Sequence, residues 1–266
     1  MERSGMTALR RSDIPVWLIS LKRATARRAN MIPRMDALGL DYQIFDAVDG
    51  RLEAESLAHN VNRPAFERNT GGALLPGKIG VYHSHLQVWD RLIASQAPAA
   101  LILEDDVVFH DDFLEGLDAA LAAADHWDVI RFNAIRAKLP VKQGTTGRYA
   151  VNAYIGPFTG NGAYLIKREI AARLRPTLLP MTRPLDHELN RFFVHGYRQR
   201  GLEPWPSHVD DEGESQITGR AFSDVKKFSL PQRLPYYGLK ATNYVRRTAY
   251  LAADGALLPS SRKLSG

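Results

Sequence analysis

The chain has 266 residues, 45% of them hydrophobic, enough to bury a substantial core as one large α/β domain or two small ones. It has no cysteine, which excludes disulfides, thiolate zinc sites and a cysteine nucleophile, and leaves any metal to carboxylate, imidazole or water ligands of the kind hard ions prefer. The net charge of +6 is localised: residues 221–266 carry eight Lys or Arg against Asp224 and Asp254, which is the whole excess, so residues 1–220 are formally neutral.

No segment approaches the roughly 20 apolar residues that span a bilayer. Residues 1–13 lack an apolar signal core, so a cytoplasmic protein is expected. Residues 15–21 form a short apolar run of buried-strand type, followed by the basic stretch Lys22, Arg23, Arg27 and Arg28. Met31, Met35 and Leu38 then fall at helical spacing, with Gly39 as a stop and Pro33 in conflict, because an interior proline removes a helical hydrogen bond. Residues 42–48 read as a second strand closed by Asp49-Gly50, and residues 53–76 as a long polar loop of the sort that covers active sites.

Val81, His85, Val88, Trp89 and Leu92 share one face of a helix, and residues 99–103 follow as a buried strand. Asp112 and Glu115 suit a capping arrangement for an amphipathic helix running to about residue 125, with a strand at residues 128–132. Residues 163–166 read as a strand, a helix begins near Arg168, and a further helix covers residues 186–195 and stops at Gly196. This alternation predicts an α/β fold with a largely parallel sheet. Composition shifts only at Ala221, dividing the chain into a domain over residues 14–220 and a basic, aromatic tail over residues 221–266.

In Ala100-Leu101-Ile102-Leu103-Glu104-Asp105-Asp106-Val107, three carboxylates emerge where an apolar strand stops, the edge at which open α/β sheets bind ligands. Adjacent like charges repel unless a cation joins them. A divalent ion would do so and would clamp a diphosphate as well, and Glu104 and Asp106 point to the same side of an extended chain. On its own the triplet reads at least as well as a solvated acidic turn.

Several blocks, in order, lift that ambiguity. They are Leu18-Ile19-Ser20-Leu21 with Arg27-Arg28; Phe45-Asp46-Ala47-Val48-Asp49-Gly50; Gly77-Lys78-Ile79-Gly80 with Ser84-His85; the triplet strand; Gly160-Asn161-Gly162-Ala163-Tyr164-Leu165-Ile166; and Pro184-Leu185-Asp186-His187-Glu188-Leu189. Together they resemble glycosyltransferase family 25, the lipooligosaccharide galactosyltransferase group with its collagen-modifying relatives, over roughly residues 14–218.

The resemblance implies a GT-A-like, Rossmann-type fold with a mixed, mainly parallel sheet, a UDP-sugar donor, usually UDP-galactose, a glycan or glycolipid acceptor, inversion, and a Mn²⁺-type ion. It places Glu104, Asp106 and the late His208 at the metal. It places Ser20, Leu21, Arg27, Arg28, Asp46, Asp49, Lys78, Ser84, Asp105 and Glu214 around the donor. Inversion needs one base to take the acceptor proton, and Asp186 is the candidate, although an aspartate opening a helix is equally an N-cap. Arg27 and Arg28 are equally a solvated face, Asp46 and Asp49 a turn, and His85 a core imidazole.

The tail interleaves Tyr236, Tyr237, Tyr244 and Tyr250 with Lys240, Arg246 and Arg247, which suits peripheral contact with an anionic inner membrane or simply a solvated basic helix. A non-catalytic protein docking on membranes or polyanions through that tail is the alternative reading. No nucleic-acid motif is visible, and no nucleic-acid partner is expected.

Overall fold

The computed structural model describes residues 9–210 and 228–264. Its first half runs β1 (Val16–Ser20), α1 (Thr25–Leu38), β2 (Tyr42–Asp46), α2 (Gly50–Glu53), α3 (Arg63–Thr70), α4 (Pro76–Ser95), β3 (Ala99–Glu104), β4 (Val107–Phe109), α5 (Phe113–Ala122), β5 (Val129–Arg131) and β6 (Arg136–Ala137). There follow β7 (Pro140–Thr146), β8 (Tyr149–Tyr154), β9 (Phe158–Thr159), β10 (Ala163–Lys167), α6 (Arg168–Leu174), α7 (Leu185–Leu189), α8 (Phe192–His195), β11 (Gln199–Glu203), β12 (Ser207–Val209) and α9 (Leu230–Ala253).

Among the described residues, eight strands make one sheet in the order β2-β1-β3-β10-β5-β11-β8-β7. Only β10 and β8 run against the other six, so the sheet is mixed and mainly parallel, the Rossmann-type arrangement the sequence predicts. Successive side chains leave a strand on opposite faces, and both faces are covered. Trp17, Ile19, Ala100, Ile102, Tyr164 and Ile166 enter a core with α4 and α6, while Val16, Leu18, Leu101, Leu103 and Leu165 enter a second core with α1 and α5. Strands buried on both sides need near-continuous apolar runs, which is why β1, β3 and β10 stand out in the sequence.

α1 forms at the expected spacing, continues through Pro33 and stops at Gly39 with a φ of +62°. Three local expectations differ from what forms. The stretch read as a loop over residues 53–76 holds α3, capped by Asn62, whose side chain accepts from the Ala65 amide at 3.0 Å. Asp112 does not cap α5; its carboxylate turns to the Tyr149 hydroxyl at 2.8 Å and to Arg148. The single helix expected over residues 186–195 breaks into α7 and α8, and Glu188 turns inward to Arg183, Arg191 and His195.

α9 lies along the domain against α3 and α8, burying Arg247 and Leu251, and Leu264 beyond it packs at Gly144. Two of the sequence blocks explain each other here. The start of α4 crosses the turn after β2 so closely that a Cβ on Gly80 would lie 2.5 Å from the Val48 carbonyl oxygen and 2.7 Å from the Gly50 nitrogen. One turn on, Ser84 Oγ accepts from the Val48 amide at 2.9 Å and donates to the Gly80 carbonyl at 2.7 Å. Gly80→Ala should therefore destabilise the protein by roughly 1–3 kcal/mol through overpacking, read as a Tm lowered by several degrees in a thermal melt; an unchanged Tm would mean the crossing is loose.

Candidate functional site

The parallel pairing of β1 with β2 and β3 brings three strand ends into one row. Ser20 registers with Asp46, and Ile19 with Glu104. Chain polarity and register alone thus gather residues separated by up to 85 positions at the carboxyl edge of the sheet.

The acidic triplet is held from two directions. On the inner side, the buried His85 of α4 meets Glu104 Oε1 through Nε2 at 2.9 Å and the Tyr164 hydroxyl through Nδ1 at 2.9 Å, while Trp89 Nε1 donates to that same hydroxyl at 3.0 Å. A carboxylate only accepts and the indole only donates, so with a neutral imidazole the chain has one consistent direction. Trp89 donates to the tyrosine oxygen, Tyr164 donates to Nδ1, and Nε2–H donates to Glu104. This fixes the imidazole tautomer and the Glu104 rotamer.

On the outer side, the arginines after β1 fold back over the edge. Arg27 Nη1 donates to Asp105 Oδ1 at 3.0 Å and lies 3.5 Å from Asp106 Oδ2. Ser20 Oγ donates to Asp105 Oδ2 at 2.6 Å. Arg28 donates to the Ser20 hydroxyl at 3.2 Å, to the Ser20 carbonyl at 2.7 Å and to Asp46 at 2.6 Å. The Arg28 hydrogen bond holds Asp46 below the usual carboxylate range. Arg23 pairs with Asp49, whose Oδ1 also accepts from the Arg51 amide at 3.0 Å and so caps α2.

Asp106 is the exception. Burial, then the charge of Glu104, push its carboxyl up to about 7 against the opposing pull of Arg27, and its Oδ1 is enclosed with no hydrogen-bond partner. In this structure the repulsion within the triplet is met by Arg27 and by the reluctance of Asp106 to ionise. Among the described residues, no three His, Asp or Glu side chains form a ready-made cage for an ion. The orphaned Asp106 oxygen and the oriented Glu104 carboxylate nevertheless fit an open site for a hard cation, of the kind completed by phosphate oxygens and water.

Asp186 reaches the edge by another route. It occupies the second position of α7, Pro184 being the N-cap, and its Oδ2 accepts from the Gly160 amide at 3.2 Å. Two residues on, the Gly162 carbonyl accepts from the Glu104 amide at 2.8 Å, so Gly160-Asn161-Gly162 straps the aspartate to the triplet. A Cβ on Gly162 would lie 2.9 Å from Val209, which is why this strap needs glycine. Lys78, in the first turn of α4, is depressed by burial while the charge of Asp186 pulls the other way.

Of the expected site residues, Ser20, Arg27, Arg28, Asp46, Glu104, Asp105 and Asp106 come together directly, and Leu21 follows Ser20 at the end of β1. Asp49 sits at the cap of α2, and Ser84 serves the backbone crossing. His208 is paired with His110 at 2.8 Å on the small β4–β12 ribbon, on the side of Val108. Glu214 lies outside the described residues. Sequence reasoning passed over Arg131, fully buried at the end of β5, where it donates to the Phe158 carbonyl and stands 3.4 Å from the Asp186 carbonyl. An arginine inside an otherwise apolar strand was the available signal. It also passed over Asn133 and Asn161, whose Oδ1 atoms are buried beside the strap without partners.

A family model described as glycosyltransferase family 25 (LPS biosynthesis protein) matches residues 13–188, the span that supplies every element of this edge except β12. The chain belongs to glycosyltransferase family 25. A glycosyltransferase 25 family member of Anopheles gambiae is 29% identical over 228 residues, covering 74% of this chain and 38% of that protein. A Rattus norvegicus protein named probable inactive glycosyltransferase 25 family member 3 is 30% identical over 123 residues, 43% of this chain and 22% of that one. The chain therefore spans well under half the length of these relatives. Among solved structures, that of A197 from STIV covers 71% of this chain and 81% of its own at 16% identity, with a TM-score of 0.37.

At the end of the matched span, this family member buries Glu188 against Arg183 at 3.0 Å, Arg191 at 2.7 Å and His195 at 2.9 Å. Burial raises a carboxyl, yet the His195 hydrogen bond and the two arginines outweigh it and hold Glu188 below its ordinary value. A depressed folded-state pKa gives stability that is present above the unfolded value and lost as pH falls through the folded one. Glu188→Gln should lower stability at pH 7 by about 3 kcal/mol. The gap between native and variant Tm should then narrow as pH is brought toward roughly 4, the range in which free glutamate titrates; a gap independent of pH would refute the ionic account.

Proposed function

We propose that this chain transfers a hexose, galactose in the first instance, from a UDP-sugar to a hydroxyl of a lipopolysaccharide or lipooligosaccharide glycan, with inversion. The single observation that carries this reading is the sheet edge itself. Glu104, Asp105 and Asp106 stand beside the guanidinium groups of Arg27 and Arg28, and the Gly160–Gly162 strap sets Asp186 against the same edge.

Arg27 and Arg28 offer fork-shaped donors for the diphosphate, and Asp46 and Asp49 lie where a nucleoside would follow it along the row of strand ends. Lys78 stands on the Asp186 side. Glu104 and Asp106 would hold a Mn²⁺-type ion, which when bound would neutralise charge on the departing diphosphate. His208 meets His110 through Nδ1, which leaves its Nε2 as the atom that would join them.

Asp186 takes the proton of the acceptor hydroxyl as the acceptor oxygen bonds to the anomeric carbon and the bond from that carbon to the diphosphate oxygen breaks. Its backbone contact to Gly160 leaves the second carboxylate oxygen for this task. Asp186→Asn and Asp106→Asn should each lower kcat at least about 100-fold in an assay of UDP release with Mn²⁺ and a lipooligosaccharide acceptor. Unchanged turnover in either variant, or no consumption of any UDP-hexose by the native chain, would sink the mechanism.

A peripheral position on an anionic membrane fits the outer side of α9. Leu230, Leu234, Tyr237 and Val245 recur there at helical spacing and are exposed at 69%, 66%, 39% and 70%, flanked by Arg233 and Arg246. Among the described residues, no helix is long and apolar enough to cross a membrane. Leu234→Asp with Val245→Asp should abolish co-sedimentation with vesicles of phosphatidylglycerol and phosphatidylethanolamine. Vesicle binding by a chain that turns over no UDP-sugar would favour a non-catalytic docking protein instead.

A further inference from the structure

The inner side of α9 forms, with α3, β6, β9, α7 and the turn at Asn190 and Arg191, a cavity of about 90 Å³ that opens to solvent. Five cationic side chains line it, Arg136, Arg183, Arg191, Lys240 and Arg247, together with Tyr236 and Tyr244, and among the described residues no Asp or Glu side chain is in its walls. The donor diphosphate has its own guanidinium groups on the β1 edge. This second cluster stands beside Asp186: His187 follows it in the chain, and Thr159 precedes Gly160, whose amide Asp186 accepts from.

Only part of this charge is balanced by the fold. Glu188 pairs with Arg183 and Arg191 behind the wall. Among the described residues, no carboxylate lies within salt-bridge distance of Arg136, Lys240 or Arg247. Arg247 is only 3% exposed. It donates from Nη1 to the Ile155 carbonyl at 2.6 Å, while its Nε and the nearby Asn243 Oδ1 are buried without partners. Burial brings its pKa down to about 10. A buried guanidinium without a carboxylate is destabilising unless something anionic meets it.

We propose that this cavity binds a phosphate ester carried by the acceptor glycan and thereby presents a neighbouring hydroxyl to Asp186. Guanidinium forks match the oxygens of a phosphate group, and the two tyrosines supply flat faces for the sugar that bears it. The proposal rests on the transferase reading for its purpose, since the neighbour of the cavity is the proposed base, but phosphate binding itself needs no turnover.

The test therefore has a binding arm and a kinetic arm, both on the full chain. Glucose 6-phosphate, glucose and glucuronate are titrated by calorimetry without donor, on the native chain and on an Arg136→Gln/Lys240→Gln variant whose altered side chains are exposed. Native protein is expected to bind glucose 6-phosphate at least about tenfold more tightly than glucose, and the variant to lose at least about tenfold of that affinity. In the kinetic arm, enzymatic removal of phosphate from a lipooligosaccharide acceptor should raise its KM in native protein far more than in the variant.

Equal binding of glucose 6-phosphate and glucose, or a variant that binds as the native chain does, would overturn the site. Glucuronate binding as tight as glucose 6-phosphate would overturn the phosphate assignment. Loss of all UDP-hexose turnover with phosphate binding intact would remove the transferase reading and leave the site standing.

Discussion

Everything at the carboxyl edge of the sheet depends on keeping three adjacent carboxylates in place, each against the charge of the other two. Glu104, Asp105 and Asp106 repel one another, and each is restrained by a different means. Glu104 receives a hydrogen bond from a buried imidazole, Asp105 is shared by Ser20 and Arg27, and Asp106 is pushed toward its neutral form by its surroundings. The result is a tense arrangement. It is stable enough to persist, yet one enclosed oxygen is left with nothing to bond. The proposed cation would act at this oxygen, since added positive charge favours the ionised form of Asp106.

The mixed character of the sheet matters to this arrangement. A purely parallel sheet would send the chain from β5 through a helix to its neighbour, leaving no short segment at the carboxyl edge. Here β10 runs antiparallel between β3 and β5, so its amino end starts at that edge. Gly160-Asn161-Gly162 enters β10 there, giving one carbonyl to Glu104 and one amide to Asp186. The reversed strand is thus what lets a residue from α7 approach carboxylates that lie 80 positions earlier in the chain.

How much of this was legible in the sequence follows from where each residue draws its environment. β1, β3 and β10 are covered on both faces and therefore spell continuous apolar runs, and the glycines at 50 and 80 mark backbone approaches that only glycine tolerates. The hairpin of β7 and β8 was invisible. β7 reads Pro-Val-Lys-Gln-Gly-Thr-Thr and lies at the sheet margin, where Gly144 is filled by Leu264 from the far end of the chain. β11 was equally hidden, because Gln199 and Arg200 are buried through long-range partners such as Asp254. The same distinction holds at the site. The triplet announced itself by composition, whereas the pairing of Arg27 with Asp105, 78 residues away, and the approach of His85 to Glu104 arise from topology.

α9 shows how a segment that looks like a solvated basic tail can be two surfaces at once. Tyr236, Lys240, Asn243, Tyr244 and Arg247 fall on one side of the helix at steps of three and four, against the domain, and Leu230, Leu234, Tyr237 and Val245 form an adjoining, exposed stripe. Between Leu230 and Ala253 the helix carries four basic residues and no acidic one. Charge on the inner side is fixed by packing, since Arg247 donates to a backbone carbonyl and stacks on Phe193 and Tyr244. Apolar side chains on the outer side have no protein to cover them among the described residues. A helix serving only as a lid for the core would turn its apolar residues inward and its charges outward. Inverting that order is costly unless each face meets something of its own kind, and this is why the proposed phosphate-bearing acceptor and the proposed lipid surface are drawn from two different faces of the same helix.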